Sequence, residues 1–512
     1  MPRALVNPTN NFFWRVATGD GIFVHLRTGT AGDTAAARTV PLPYLKKSMR
    51  LPMSSLRRAL WVPALAACIP AISLSAQGFG LNEIGTCAVS RGFAVTGTPC
   101  QDASTIFWNP AAAAELPGTS VNIGASAIRI AGSFRQDSTG RTYNSNIQPA
   151  LVPEGFAARR FGKASLGLGV YVPYGLTSQW NDDFPGRFSA LRAALQTVYF
   201  QPNIAWQANE EWSVGGGPVF GHSTVDLTQS LDLSQQTAAG TVKFGQLGIA
   251  SMTEFGRAKF HGTSNAMGFN VGVHGKFGPW SVGARYLSSL KFNYRDAQAS
   301  FVQVPTGLTL PLNNPISPTA PVAVDTLLAK QFTQLSGGSL VSQKGNSQIV
   351  HPWQMQGGIG YVENGNKLSV DVGRIGWSSF ENLPIRFNGP AAASSKLVPE
   401  NYNDSWMLRI GAEHEFARFT GRIGYSYAES PAPDATVTPI LPDMNRRNFS
   451  IGVGLPITTM YKLDLGYLNV NTPGRRGRLA EPTSPTLDPT LMNSGAYALR
   501  ADVFSAALNI TF

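Results

Sequence analysis

The chain has 512 residues, and 14% of them are charged, against roughly 25% in an average soluble domain; Gly (53) and Pro (35) both run above their usual shares. A hydrophobic content of 43% makes it neither disordered nor uniformly apolar. The net charge of +11 points to nucleic acid, but +7 of it sits in residues 1–75 and only +4 in 76–512, so that reading loses its main support.

Residues 1–48 show no clear periodicity and read as an upstream segment ahead of a later start at Met49 or Met53. From Met53 a basic stretch with Arg57 and Arg58 leads into an apolar run, Ala59 to Ala71, and then small residues to Ala76. This is the pattern of a secretory signal peptide over 49–75, with cleavage expected after Ser75. A transmembrane helix is the alternative, but Pro63 and Pro70 interrupt the run, and it falls short of the roughly 20 residues a span needs. Cys68 leaves with such a signal, so Cys87 and Cys100 remain. In an exported chain they are expected to form a disulfide worth about 3 kcal/mol; two separate buried thiols are the other reading. Neither lies in a metal-ligand spacing.

The body alternates with period two. In 268–277, Phe269, Val271, Val273 and Phe277 alternate with small and polar residues, and so do Tyr461, Leu463, Leu465 and Tyr467, and the even positions from Phe504 to Phe512. Fourteen such segments lie near 119–130, 151–162, 164–176, 196–208, 211–223, 267–277, 279–292, 352–362, 366–378, 404–415, 417–428, 446–456, 459–471 and 496–512. Their connections alternate short and long. Short links fall near Phe161–Lys163, Asn209–Glu210, Phe277–Pro279, Glu363–Gly365, Phe416 and Pro456–Thr458; long ones cover about 131–150, 177–195, 224–266, 293–351, 379–403, 429–445 and 472–495. A soluble sandwich also alternates, but does not put every long loop at one end. Short turns on one side and long loops on the other mark an outer-membrane barrel. The predicted fold is therefore all-β: a 14-stranded antiparallel transmembrane β-barrel over 119–512. By parity Asp371, Arg409, Glu413 and Lys462 face inward. An even strand number puts both chain ends on the short-turn side, where 76–118 is placed to enter the lumen as a plug, or hatch.

Several elements resemble FadL-type long-chain fatty-acid transporters of Gram-negative outer membranes and their relatives for aromatic hydrocarbons. Gly78 to Glu83, then Asp102-Ala103-Ser104-Thr105 and Asn109-Pro110-Ala111, resemble that family's mature N-terminus and its DAST and NPA elements. Ser165 to Gly175 resembles its kinked third strand, and Pro185 to Phe188 the following loop. Trp377 to Phe380, Trp406 to Gly411, Ser430-Pro431, Leu441-Pro442-Asp443, Arg446 or Arg447, Gly495 to Tyr497 and terminal Phe512 fit the same order. The Cys87/Cys100 pair stands outside that pattern. The resemblance implies capture of a hydrophobic substrate on the extracellular loops, transfer to a lumenal pocket, a plug shift and sideways exit beside the third strand. At about 0.8 kcal/mol per buried CH₂, an eighteen-carbon chain gains more than about 10 kcal/mol in a dry groove.

The resemblance makes Asn109, Pro110, Ala111, Pro173 and Gly175 the plug and lateral-gate candidates. Read locally, Asn109 and Pro110 are a helix cap and first position, and Pro173 marks a bulge or kink. Phe188, Leu191 and Leu195 have helical spacing and line either a substrate groove or a loop contact. Arg187 and Arg192 face either a fatty carboxylate or lipopolysaccharide. Arg409 and Glu413 read as a structural ion network, and Val324 to Phe332 as a further loop helix.

No catalytic constellation appears. His414-Glu415 is followed by Arg418 rather than a second His; Gly162-Lys163 lacks the Walker glycine at Ala157; Ser450 has Asn448, not Gly, two positions earlier. The expected protein is not an enzyme and has no cofactor, metal or nucleic-acid partner. It is a monomer inserted by the barrel-assembly machinery among lipopolysaccharide and outer-membrane lipid, and it passes long-chain fatty acids or, as the alternative, monoaromatic hydrocarbons. A receptor or adhesin barrel with a sealed lumen is the rival.

Overall fold

The computed structural model describes residues 78–479 and 494–512; the upstream segment 1–48, the signal segment 49–75 and part of the last loop lie outside the described residues. Fourteen antiparallel strands among the described residues close on themselves. They are β1 (Thr119–Gln136), β2 (Ala150–Phe161), β3 (Ala164–Tyr171, continued by Gly175–Gln179), β4 (Arg192–Gln207), β5 (Trp212–Asp232), β6 (Glu254–Phe277), β7 (Trp280–Leu287 and Leu290–Gln303), β8 (Gln343–His351 and Gln354–Glu363), β9 (Asn366–Ile375), β10 (Ser405–Glu415), β11 (Thr420–Ala428), β12 (Arg446–Pro456), β13 (Tyr461–Asn471) and β14 (Gly495–Thr511). Each pairs with its sequence neighbours, and β1 pairs with β14 from Ser120↔Thr511 to Gln136↔Gly495. A closed ladder leaves no edge for lipid to meet, which is the condition for crossing a bilayer with strands.

All six short links form tight turns at one end. Asn364 and Gly365 both take positive φ (50° and 75°), the conformation a two-residue hairpin turn requires. Both barrel termini meet at this end, where Thr119 and Phe512 exchange backbone hydrogen bonds of 2.7 and 3.0 Å. At the other end the strands run further than their sequence pattern predicts: β6 begins at Glu254, not near 267. Lys259, His261, Thr263 and Asn265 share the outward parity of Met267, Phe269 and Val271, so the strand continues where its outer face turns polar. An apolar/polar alternation cannot register such an extension.

The outward face carries Ile123, Leu166, Ile204, Ile410, Ile423 and Ile451, all exposed, with Trp206, Trp212, Trp280 and Tyr361 near the short turns. Such a band with aromatic girdles faces lipid. The inward face is polar and buried. Glu413 accepts from Lys367 (2.6 Å) and Arg422 (2.7 Å), and Arg422 also reaches Asp464 (2.7 Å), so Glu413 belongs to a wall ion network.

Residues 78–116 are almost wholly buried inside this wall and form the plug. Two short helices, Thr86–Ser90 and Thr105–Trp108, and a 3₁₀ turn, Pro110–Glu115, leave much of its backbone irregular. Cys87 and Cys100 are joined by a disulfide that closes the loop between the first two, with Cα atoms 6.2 Å apart. Inward side chains of the barrel supply the plug's missing partners. Asp371 accepts from Thr96 N (2.6 Å), Glu154 from Gly85 N (2.6 Å) and Ser450 from Gly92 N (2.9 Å), while Gln201 and Asn270 donate to Ile106 O and Phe107 O. Where the plug comes closest the wall has glycine: a Cβ on Gly424 would overlap the backbone of Arg91 and Gly92, and one on Gly283 that of Thr96.

Gly424→Leu should therefore unseat the plug and leave the sheet closed. The expected result is a barrel that still migrates as folded in unheated gels, is about 1–3 kcal/mol less stable, and conducts ions across a planar bilayer more readily than the wild type. An unchanged conductance would mean that the wall yields instead.

Candidate functional site at the broken third strand

β3 stops at Tyr171 and resumes at Gly175, across Val172-Pro173-Tyr174. Pro173 has no N–H for a ladder, and the break has two consequences. First, β2 pairs with the lower part of β3 only from Gly155↔Val170 downward, whereas Gly175–Gln179 ladders with β4 and meets the other side only at its upper end, where Asn146 N donates to Gln179 O (2.8 Å) beside a Ser145↔Trp180 bridge. Residues 150–154 of β2 and 175–179 of β3 therefore face each other without a ladder. Second, the plug takes up the freed groups at the kink: Leu81 N donates to Pro173 O (2.9 Å) and Gly175 N to Phe79 O (2.8 Å), with an antiparallel bridge between Gly80 and Tyr174.

Phe79 thereby projects into an aromatic cage. Its ring centroid lies 4.8 Å from Trp377, 5.2 Å from Phe380, 5.5 Å from His351 and 6.0 Å from Tyr174. Beside it is a small apolar cavity lined by Phe79, Leu176, Leu195, Ile349, Ile440 and Leu441, among others. Glu400 is its one charged lining residue, and no Lys or Arg lines it. A second cavity of about the same size shares Leu176 and Leu441 and continues to Ile147, Gly132, Trp180 and Leu499. Ile147 precedes β2 and Thr177 lies on the upper part of β3, so this second space sits at the unladdered stretch of the wall. Leu176 and Leu441 separate lumen from break.

The residues expected to form one gate separate in space. Pro173 and Gly175 are at the break. Asn109, Pro110 and Ala111 are not: they pack against β4, β5 and β6. Asn109 Nδ2 donates to Thr96 O and Val273 O (both 3.1 Å), its Oδ1 accepts from Ala111 N (3.3 Å), and Asn203 reaches Pro110 O (3.2 Å). Asn109 does cap the turn that Pro110 opens, though the turn is 3₁₀. The element at the kink is Phe79–Leu81, whose importance no local pattern announced; the Trp377 to Phe380 stretch that cages it lies some 300 residues away.

The helix expected over 188–195 does not form. Pro185–Phe188 is a 3₁₀ turn and β4 begins at Arg192. Ladders from the upper part of β3 and from β5 hold 192–196 on both sides and override the local spacing. Leu195 enters the cavity from β4, and Leu191 is buried with its N–H bonded to Thr228 O (2.8 Å). Arg187 is held by Glu254 (3.3 Å) and stacks on Phe188 (4.5 Å). The Val324–Ala329 helix forms as expected, with Lys330–Phe332 continuing as 3₁₀.

At the plug's far end Glu115 accepts from His274 Nδ1 (2.6 Å) and Lys276 (2.5 Å). Burial pushes the Glu115 carboxyl up, but the hydrogen bonds and charges of His274 and Lys276 outweigh it and hold it below the ordinary glutamate range. A depressed folded value makes this anchor fully present above the ordinary carboxylate pKa and lost as pH falls through the lower folded value. Hydrogen exchange at 111–116, corrected for intrinsic rates, should rise below about pH 4. In Glu115→Gln it should already be raised at neutral pH and lose that dependence. For Asn109→Ala, loss of the cap and of two buried hydrogen bonds should destabilise the plug by about 1–3 kcal/mol, read as faster exchange over 94–112.

The family described as "Outer membrane protein transport protein (OMPP1/FadL/TodX)" matches residues 67–512. The chain is 24% identical over 429 residues to the long-chain fatty acid transport protein of Escherichia coli K12, covering 79% of this chain and 90% of that protein. It is 23% identical over 431 residues to a 47 kDa outer membrane protein of Pasteurella multocida, covering 82% and 93%. Among solved structures a FadL homologue of Pseudomonas aeruginosa superposes with a TM-score of 0.70 at 18% identity, over 85% of this chain and 99% of that one. The Pseudomonas putida toluene transporter TodX superposes with 0.61 at 14%, over 85% and 100%. With its closed fourteen-stranded barrel and this match, the chain belongs to the OMPP1/FadL/TodX family of outer-membrane transport proteins.

Proposed function

We propose that this protein takes up hydrophobic compounds passively across the outer membrane and releases them sideways between β2 and β3. The observation that carries this reading is the unladdered stretch from 150–154 to 175–179, with apolar cavities on either side of Leu176 and Leu441. A molecule in the inner cavity reaches the wall once the Leu176–Leu441 contact opens. The short ladder between Phe79–Leu81 and Pro173–Gly175 couples that opening to the plug. Sideways exit into the membrane core keeps an apolar solute out of water, which an aqueous pore does not do. The final strand, ending at Phe512, is the element we expect the barrel-assembly machinery to engage; a closed sheet without edges suits a monomer.

The lining favours uncharged substrates. A fatty carboxylate wants a cation, and this cavity offers only Glu400. We therefore place monoaromatic and other neutral hydrophobic compounds ahead of long-chain fatty acids. The second reading, fatty acids, is favoured by the names of the relatives in Escherichia coli and Salmonella typhi.

Uptake of labelled toluene and labelled oleate, in cells lacking their own transporter and expressing this chain from Met53, tests both. Toluene uptake above background with little oleate is expected. Oleate uptake of equal size would restore the fatty-acid reading, and a surface-located, folded barrel that passes neither would favour a receptor. Leu176→Trp, which fills the junction between the cavities, should lower uptake about tenfold or more without loss of folded barrel; unchanged uptake would remove the sideways route.

A further inference from the structure

Above the aromatic girdle, the outer wall of β7 and β8 carries a polar groove unrelated to the lumen. Tyr286 and Trp353 stack at 6.4 Å and Phe269 packs on Tyr286 at 5.8 Å, in the upper part of the apolar band, which runs on to Met267. Beyond it the outward positions are Lys291, Asn293 and Arg295 on β7, and Lys344, Asn346 and Gln348 on β8. The loop strand Asn382–Phe387 pairs with β8 and adds Arg386 directly opposite Asn346, with Asn388 just beyond. Asn293, Arg295, Asn346, Gln348, Arg386 and Asn388 line one groove across three strands, with Lys291 and Lys344 on the same exposed wall outside its lining.

The groove is built, not incidental. Between Tyr294 and Ala297 the β7–β8 register slips, so that Arg295 and Asp296 together oppose Asn346, and both are exposed. Asp296 adopts φ 53°, a left-handed conformation that costs a non-glycine residue energy. Such bulges re-aim side chains, and this one doubles the outward positions in the row where Arg386 points out. Its floor is fixed by amide hydrogen bonds: Asp296 N donates to Asn346 Oδ1 (3.1 Å), Asn346 to Asn388 (2.9 Å) and Gln348 to Asn293 (2.7 Å). Lys344 bonds Asp296 O (3.3 Å). Among the described residues neither Arg295 nor Arg386 makes an ion pair. Within the lining Arg295 and Arg386 outweigh Asp296, so the groove is positive.

We propose that this groove binds the phosphorylated and carboxylated core sugars of lipopolysaccharide. The inference rests on the outer-membrane location of the family and not on the transport route. Arg295 lies fifteen positions past Trp280, roughly 38 Å above the lower girdle at about 3.3 Å per residue and a tilt of about 40°, and so about 13 Å beyond an apolar band about 25 Å tall. That is above the acyl chains and at the level of the anionic sugars. Two forked guanidinium groups suit phosphate and carboxylate oxygens, and the Asn and Gln amides, with the Asp296 carboxylate, suit sugar hydroxyls. A phospholipid headgroup sits lower, and a protein partner would call for apolar anchors that this groove lacks.

The test is retention of lipopolysaccharide by the purified full-length barrel in detergent. The probes are lipopolysaccharide with a phosphorylated core, lipid A alone, and phosphatidylglycerol vesicles. Arg295→Gln/Arg386→Gln should weaken binding of the core-bearing form about tenfold or more, leave lipid A binding unchanged, and leave toluene or oleate uptake at its wild-type level. Equal binding of the core-bearing form by variant and wild type would overturn the proposal. So would full competition by phosphatidylglycerol, or lipid A binding as tightly as the core-bearing form. Should the double variant fail to assemble, Arg386→Gln alone, on a loop strand, is expected to cost about threefold. Wild-type binding should fall steeply with salt, and salt-independent binding would contradict the charged groove. A failure of uptake with core binding intact would count against the transport reading alone.

Discussion

Backbone N–H and C=O groups in the lipid-facing wall and in the buried plug have to find partners away from water, and these two parts of the molecule meet that demand in opposite ways. The wall does it alone, by closing fourteen strands into one ladder. The plug cannot, because it is mostly irregular chain packed where water does not reach. Its amides and carbonyls are answered one by one from the wall: Asp371, Glu154 and Ser450 accept, and Gln201, Asn203 and Asn270 donate. Because each such bond is worth only about 1 kcal/mol net while an orphaned buried group costs about 1–3, the plug is held in one arrangement more by what misplacement would cost than by any single contact.

That accounting makes the third strand the exception that matters. Pro173 removes one donor from the ladder and interrupts the strand, and the plug's Phe79–Leu81 stands in as a short substitute strand. Among the described residues this is where plug backbone takes the place of a wall strand. Phe79 is at once a ladder partner of the kink and a lining residue of the inner cavity. On the proposed sideways route, Phe79 is thus the residue through which occupancy of the cavity would act on the wall.

The charged residues divide by depth. Inside, Glu413, Arg422, Lys367 and Asp464 satisfy one another and leave the apolar cavity free of cations. Outside and above the girdle, Arg295 and Arg386 have no such partners among the described residues. An inward ion pair is buried and must be matched, whereas a cation on the sugar-facing rim gains by remaining available.

Much of the architecture was legible without coordinates. Period-two alternation, an even number of segments and the regular exchange of short and long links together determine a barrel, its lipid-facing residues and the side on which both ends lie, since each is a consequence of pleat geometry and of lipid offering no hydrogen bonds. Pro173 was visible as a break for the same local reason. What lay beyond reach was everything set by contacts distant in the chain. Residues 188–195 have helical spacing, but two neighbouring ladders make Arg192 onward a strand. Asn109 caps its turn as its sequence says, yet the wall it meets is β4 to β6 rather than the break. The cage around Phe79 draws on Tyr174, His351, Trp377 and Phe380, and the inner cavity joins β3, β4 and the 440–441 loop. Local sequence decides which way a side chain points from its strand. Only closure of the barrel around the plug decides which of those side chains meet.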